Sequence, residues 1–555
     1  MIEWRYIHMS NAAMVIRGNA IFDGTGAKPF AGGIAVEGKR IAAVVKGEGI
    51  DRYIGPDTRV IDCGDRLVMP GFNDGHTHIT QGAFLEDPDF SFCLLESGSR
   101  EEAIQMAKEY GDSHPDNEWV FGYMMNNLLW KDQTLPTCHD IDRVISDRPV
   151  VLQLADMHTV AVNTCAIEKI GITKDTKSPA DGVIEKDEKG ELTGRFYDGA
   201  SFAFTDAICS PSDEVYMQIY ENLFDKMKKL GITSCSLVAP YGAHDDPLPY
   251  FEKMEEKGTL TSRVMMYPNI AEYEKESFAA LQKKYADGKL RIRGLKQLID
   301  GVTSVFTAYL LEPYTNDPGT CGATSVDMKE FKKQALEAIK DGVPLRIHTI
   351  GDRAVREMLD IFEEGERLYG KQNLRHVQEH LETIHPEDIP RFAKLGICGC
   401  MQPWHMLFDL EGGDKGNGLY GDKEAAVGSQ RAKHSWPMRE LLDAGMVLSL
   451  GSDFPVVGLE PMCEIYGAVT RQTFDGKPEE GWYPEQRITM EEALKAYTWG
   501  SAYAEGCEQD LGILAEGMLA DIIVLDKNLF EAKPQEILDT KVVTTIMDGQ
   551  VVYEA

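Results

Sequence analysis

Leu67-Val-Met-Pro-Gly-Phe-Asn-Asp-Gly-His-Thr-His78 joins a short apolar run to two histidines one residue apart. On an extended chain alternate side chains leave the same face, so His76 and His78 are predicted to point the same way and to grip one metal ion. Chance often supplies such a spacing, and the residues downstream decide its meaning. His348 ends the run Val343-Pro-Leu-Arg-Ile-His348, His380 closes Val377-Gln-Glu-His380, and Asp453 follows Leu448-Ser-Leu-Gly-Ser-Asp453. Each lies at the C-terminal end of a predicted strand, where barrel enzymes assemble their chemistry. Imidazoles with a carboxylate are a donor set that Zn²⁺ favours, and catalysis needs one coordination position open to water.

Outward from this stretch, apolar strand-like runs alternate with amphipathic ones. The former include Gly231-Ile-Thr-Ser-Cys-Ser-Leu237, Leu290-Arg-Ile-Arg-Gly-Leu-Lys296, Gly396-Ile-Cys-Gly-Cys400 and Met446-Val-Leu-Ser-Leu450; the latter include Asp327 to Ile339 and Arg353 to Glu364. Alternation of this kind predicts an α/β protein of parallel βα units, with a (β/α)₈ TIM barrel over residues 69–505 as its natural closure. Short β-type runs stand at both chain ends. Ala13-Met-Val-Ile16, Gly33-Ile-Ala-Val36 and Arg40-Ile-Ala-Ala-Val-Val45 face Ala520-Asp-Ile-Ile-Val-Leu525, Lys541-Val-Val-Thr-Thr-Ile546 and a hairpin with Asp548-Gly turn chemistry. Residues 14–68 and 506–555 are therefore expected to build one composite β-sandwich domain. Residues 99–206, rich in Asp, Asn, Gly and Pro, interrupt the rhythm and read as an α/β subdomain inserted after the first barrel strand. Within it, the aromatic cluster from Trp119 to Trp130 either packs internally or forms a lid.

Composition bounds the partners. The 555 residues carry 43% hydrophobic and 26% charged residues, with no apolar run near the roughly 20 residues that span a bilayer. A net charge of −33 repels nucleic-acid phosphates and anionic membranes, leaving a small-molecule substrate as the expected partner and self-association open. The 11 cysteines are scattered without a CxxC, which points to a reducing cytoplasm. Met1 to Ser10 lacks the continuous apolar core of a signal peptide, and the first dozen residues, ahead of the strand-like run at Met14, read as a loose leader or a start-site artefact.

From about Met14 to the C-terminus the chain resembles the amidohydrolase superfamily, and within it the third amidohydrolase family, which includes N-substituted formamide deformylases. The segments that carry the resemblance are Gly71 to His78, Lys296 with Asp300-Gly301, Ile347-His-Thr-Ile-Gly-Asp-Arg-Ala354, Glu379-His380 and Gly451-Ser-Asp-Phe-Pro455. Glu491-Glu-Ala-Leu-Lys-Ala-Tyr-Thr498 and Gly517-Met-Leu-Ala-Asp521 are also typical. The resemblance implies that His76 and His78 hold a more buried divalent metal, zinc or a similar ion, while His348 and His380 hold a second. It implies that Asp453 touches the first metal and acts as general acid and base, and that Lys296 bridges the two ions after N-carboxylation. If Lys296 is instead a salt-bridged strand-end lysine, the site holds one metal.

Substrate contacts are expected from His158, Arg353, Gln402 and His405. His158 lies in Ala155-Asp-Met-His158, where the family has glycine at position 157, and it reads equally as a hydrogen-bonded buried histidine. Arg353 either holds an anionic group or caps the helix that follows. Gln402 and His405 lie where a barrel loop reaches the pocket mouth. Cys398 and Cys400 read as buried strand residues. His114, His139, His244, His376, His385 and His434 have no motif around them. The expected reaction is hydrolysis of an amide-type C–N bond in a small molecule; the alternatives are metal-dependent deamination of a heterocycle and a non-catalytic regulatory relative.

Overall fold

The computed structural model describes residues 12–127, 130–155, 159–179, 182–208, 212–238, 246–406 and 419–555. The leader-like residues up to 11 and His158 lie outside these ranges. Two compact units are present, one drawn from residues up to 78, 224–239 and 258–555, the other from 79–223 and 240–257.

In the first unit the chain opens with β1 (Met14–Ile21), β2 (Phe30–Glu37), β3 (Arg40–Lys46), β4 (Arg59–Asp62) and β5 (Leu67–Pro70), and β6 (Phe72–Thr77) follows directly. The second unit holds β7 (Phe92–Cys93), β8 (Val120–Met125), β9 (Val150–Leu154), β10 (Thr159–Val162), β11 (Gly182–Lys186) and β12 (Leu192–Asp198). These form one sheet in the order β11-β12-β10-β9-β8-β7. Trp130 packs into one apolar layer of this unit, with Ile104 and Leu152, and Trp119 lies against the other, with Phe196 and Phe204. The aromatic cluster thus serves as core there.

Back in the first unit come β13 (Ile232–Val238), β14 (Arg263–Tyr267), β15 (Leu290–Ile292), β16 (Leu295–Leu298), β17 (Leu345–Thr349), β18 (Val377–His380), β19 (Cys398–Met401) and β20 (Leu448–Leu450). All pair in parallel, in two sheets ordered β15-β14-β13-β6 and β16-β17-β18-β19-β20. Single parallel bridges join the sheets on both sides, Asn269 with Lys296 and Thr77 with Phe454. The run Leu290–Lys296, predicted as one strand, is two. The break falls at Gly294, where a Cβ would stand 2.5 Å from the Pro344 carbonyl oxygen, so the backbone crowds a neighbour and turns into the next sheet. Helices between the strands match their amphipathic patterns; Asp352–Tyr369, for example, buries Val355, Met358, Leu359 and Phe362 on one face.

The chain closes with β21 (Ile522–Leu525), β22 (Val542–Met547) and β23 (Gln550–Glu554). They share a sheet with the N-terminal strands, in the order β23-β22-β21-β5-β1-β2-β3, with β4 beside β1. Asp548 and Gly549 have φ of 50° and 71°, the left-handed pair that a tight hairpin requires. Ile16, Ile34, Val68, Ile522, Val524 and Ile546 fill the core of this sheet. Among the described residues no helix is long and apolar enough to cross a membrane.

Candidate metal centre

Parallel strands joined mostly through helices put their C-terminal ends on one side; His76, His348 and His380 stand at or next to the ends of β6, β17 and β18, and Lys296 is the second residue of β16. His78 lies one residue past β6, and Asp453 follows β20. The two loops are locked together by reciprocal backbone bonds, Asp453 N–H to His76 O at 2.8 Å and His78 N–H to Phe454 O at 2.7 Å. Asp74 strengthens the lock. Its Oδ1 accepts from the backbone N–H of His76 (3.2 Å) and Ser452 (2.9 Å), and its Oδ2 accepts from the Tyr497 hydroxyl at 3.0 Å.

Inside this frame Nε2 of His76 and Nε2 of His78 each stand 3.2 Å from Asp453 Oδ1. Neither is aligned as a hydrogen-bond donor, and Oδ1 has no hydrogen-bond partner among the described residues. On the other side of the carboxylate, His380 Nδ1 and His405 Nε2 lie 3.8 and 3.7 Å from Oδ2. The His348 ring meets the His380 ring edge-on at 4.3 Å. Lys296 is buried, and its Nζ likewise has no hydrogen-bond partner among the described residues.

Two of these residues adopt backbone conformations that side chains rarely take. His380 has φ of 72° and Asp453 of 61°. In a regular strand Glu379 and His380 would face opposite ways; the left-handed turn at His380 lets both face the cluster. Each such residue costs about 1–3 kcal/mol and persists only where its surroundings hold it.

Electrostatics set the protonation states. Burial lowers the pKa of His78, brings His348 down to about 3 and holds His380 well below its ordinary range, so these rings are neutral, as metal coordination requires. Burial also opposes charge on His76, but Glu379 and Asp453 outweigh it and raise its pKa. At Asp453 burial favours the acid, yet the His76 charge prevails and holds the carboxyl well below the usual range. Positive charge is therefore favoured where His76, His78 and Asp453 converge. Their donor atoms lie within 4.8 Å of one another, and this donor set fits a divalent cation. Burial brings the Lys296 amine down to about 8.

Of the expected substrate contacts, His405 sits against Asp453, and Gln402 Oε1 lies 2.9 Å from His380 Nδ1, placing it behind a histidine. Arg353 is 43% exposed, pairs with Glu357 at 3.2 Å and lies over the Tyr309 ring; it takes no part in the contacts around Asp453. Cys398 and Cys400 are buried in β19. Sequence reasoning gave no role to Arg346, Glu379, Glu382, Lys423 or Asp74. Lys423 pairs with Glu382 at 2.6 Å in the wall next to His405; of the five, Asp74 and Glu379 lie in motif segments, close to the site histidines.

Gly75 stands where strands crowd the site. A Cβ there would lie 2.3 Å from Ser449 Oγ and 2.8 Å from the Leu450 carbonyl oxygen. Gly75→Ala is expected to push β20 from β6, to destabilise the unit by about 1–3 kcal/mol, and to lower metal stoichiometry in elemental analysis. Full metal content with an unchanged melting temperature would contradict this.

A solved metal-dependent hydrolase from Pyrococcus furiosus shares the fold, with a TM-score of 0.72 at 24% identity over 94% of this chain and 99% of that one. The shared fold is a mixed α/β architecture, and the cluster it carries fits a divalent cation. The amidohydrolase family model matches residues 59–553, and the chain belongs to that family. It is 28% identical to the putative amidohydrolase YtcJ of Bacillus subtilis (strain 168), over 92% of this chain and 94% of that protein. It is 26% identical to an N-substituted formamide deformylase of Arthrobacter pascens, over 94% of each chain.

Proposed function

We propose that this protein hydrolyses a C–N bond of a small molecule: an amide, an N-formyl amine or a cyclic amide. The observation that carries the reading is the convergence of His76 and His78 on one oxygen of Asp453. In this reading His76, His78 and Asp453 would hold one divalent cation and His348 and His380 a second, and Lys296, as a carbamate, would supply further ligand oxygens. The bridges Asn269–Lys296 and Thr77–Phe454 are then the seams of a closed barrel, eight-stranded with β15 and β16 taken as one broken strand, and the end strands form a composite β-sandwich domain beside it.

When bound, divalent cations, zinc in this reading, polarise a carbonyl oxygen and acidify water. The Asp453 carboxylate takes a proton from the attacking water and delivers it to the departing nitrogen. The water oxygen ends on the carbonyl carbon as the C–N bond breaks, giving an acid and an amine. Lys296 forms its carbamate when its neutral nitrogen bonds the carbon of CO₂ and loses one proton. Burial favours this by increasing the neutral fraction of the amine. A heterocycle deaminase, with one ion and no carbamate, leaves a buried and unpartnered Lys296 without a purpose, which favours the amide reading.

Screening N-formyl and N-acyl amines, cyclic amides and dipeptides is expected to find turnover that dialysis against a chelator abolishes and Zn²⁺ restores. No turnover across the metal-loaded panel would defeat the amide reading.

A further inference from the structure

The two histidines that converge on Asp453 differ in what stands behind them. His78 Nδ1 has no hydrogen-bond partner among the described residues, whereas His76 Nδ1 lies 2.6 Å from Glu379 Oε2. Glu379 is buried, and its other oxygen accepts from Arg346 Nε at 2.6 Å. Arg346 is buried too, with its guanidinium over the Tyr267 ring at 4.7 Å and its Nη1 donating to Ser236 Oγ at 2.5 Å. Ser236 donates onward to Glu505 Oε1, and Glu505 Oε2 accepts from Asn73, both at 2.7 Å. Asn73, Ser236, Arg346, Glu379 and Glu505 come from four parallel strands and the C-terminal end of the helix Ser501–Ala504.

A carboxylate 2.6 Å from Nδ1 keeps a proton on that nitrogen, so the position a cation would take is at Nε2, the nitrogen that faces Asp453. Arg346 pins this carboxylate by its far oxygen, so that Glu379 cannot turn away from the ring. We propose that Glu379, clamped by Arg346, is a positioning residue that fixes His76 in the orientation and tautomer in which Nε2 binds the cation, and that this ion pair sets metal affinity. The inference rests on the metal-centre reading above. It adds that the two histidines of the opening pair are unequal, His76 being pre-set from beneath and His78 oriented without such a clamp. Partners of this type behind a metal-bound histidine are worth about 10–100-fold in affinity.

The test uses the full-length protein, freed of metal and titrated with Zn²⁺ against a chromophoric chelator, with Co²⁺ absorption as a spectroscopic readout. Glu379→Gln and Arg346→Met are each expected to weaken Zn²⁺ binding about 10–100-fold and to alter the Co²⁺ spectrum, with Arg346→Lys recovering part of the loss. Single variants leave one buried charge unpaired and can fail to fold; the double variant Arg346→Met with Glu379→Gln removes both charges and carries the test in that event. A folded variant, single or double, that lacks the carboxylate yet keeps wild-type Zn²⁺ affinity and Co²⁺ spectrum overturns the proposal, even if its melting temperature falls. Failure of the wild-type protein to bind Zn²⁺ would instead remove the metal-centre reading, and this inference with it.

Discussion

Asp453→Asn is expected to bind metal at near wild-type stoichiometry and to lose turnover by about 10²–10⁴-fold, the range typical of a lost general acid–base group. The substitution keeps the size and one carbonyl oxygen of the side chain, so a donor can remain where His76 and His78 converge. It removes the group that takes and returns the proton. Water attack and amine departure should both suffer, and no single rescue by a better leaving group should restore the full rate. The measurement pairs steady-state turnover on a substrate from the panel with metal content by elemental analysis. Near-normal turnover with metal in place would exclude the role given to Asp453.

The largest effect on stability is expected at Arg263, far in sequence from the site histidines. This buried guanidinium on β14 donates to both oxygens of Asp521, at 3.1 and 3.2 Å, and contacts Asp548 in the β22–β23 turn. Arg263→Met removes the buried cation from Asp521 and leaves Asp548 only the ion pair with the exposed Lys39 at 3.4 Å, a loss of about 3–5 kcal/mol. The pH dependence has a definite sign. Burial favours the acid form of Asp548, but the Arg263 charge outweighs it and depresses the pKa. The stabilisation Asp548 contributes is thus present above the ordinary carboxylate pKa of about 3.9 and is lost as pH falls through the depressed value. Without Arg263 the same carboxylate is easier to protonate, so the gap in melting temperature between wild type and variant should narrow in acid below about pH 4. A gap that is small at neutral pH, or that widens in acid, would contradict this account.

Much of the frame was legible in the sequence because its signals are local. Alternating apolar runs announce βα units, Asp548-Gly549 announces a hairpin, and residues two apart on a strand announce a shared face. The site histidines and Asp453 were legible because strand ends can be read from where apolar runs stop. What surrounds them was not. Arg346 sits inside an apolar run and reads as an interruption, although its partners Ser236 and Glu379 lie on other strands and its charge is matched only in three dimensions. Period-two reasoning places Glu379 and His380 on opposite faces, and only the backbone turn at His380 overrides it. The split at Gly294 depends on the approach of Pro344, a contact between segments that no local pattern encodes.

The lock between the His76 and Asp453 loops also governs when the site can exist. Asp74 bonds Ser452, 378 residues away, and Tyr497, 423 residues away. A chain still being synthesised has its histidine pair from the outset, yet lacks the groups that hold it until most of the polypeptide has left the ribosome. On the metal-centre reading proposed above, loading would be a late event of maturation, because a chain truncated before residue 452 lacks Asp453 and the bonds from Ser452 and Tyr497 to Asp74.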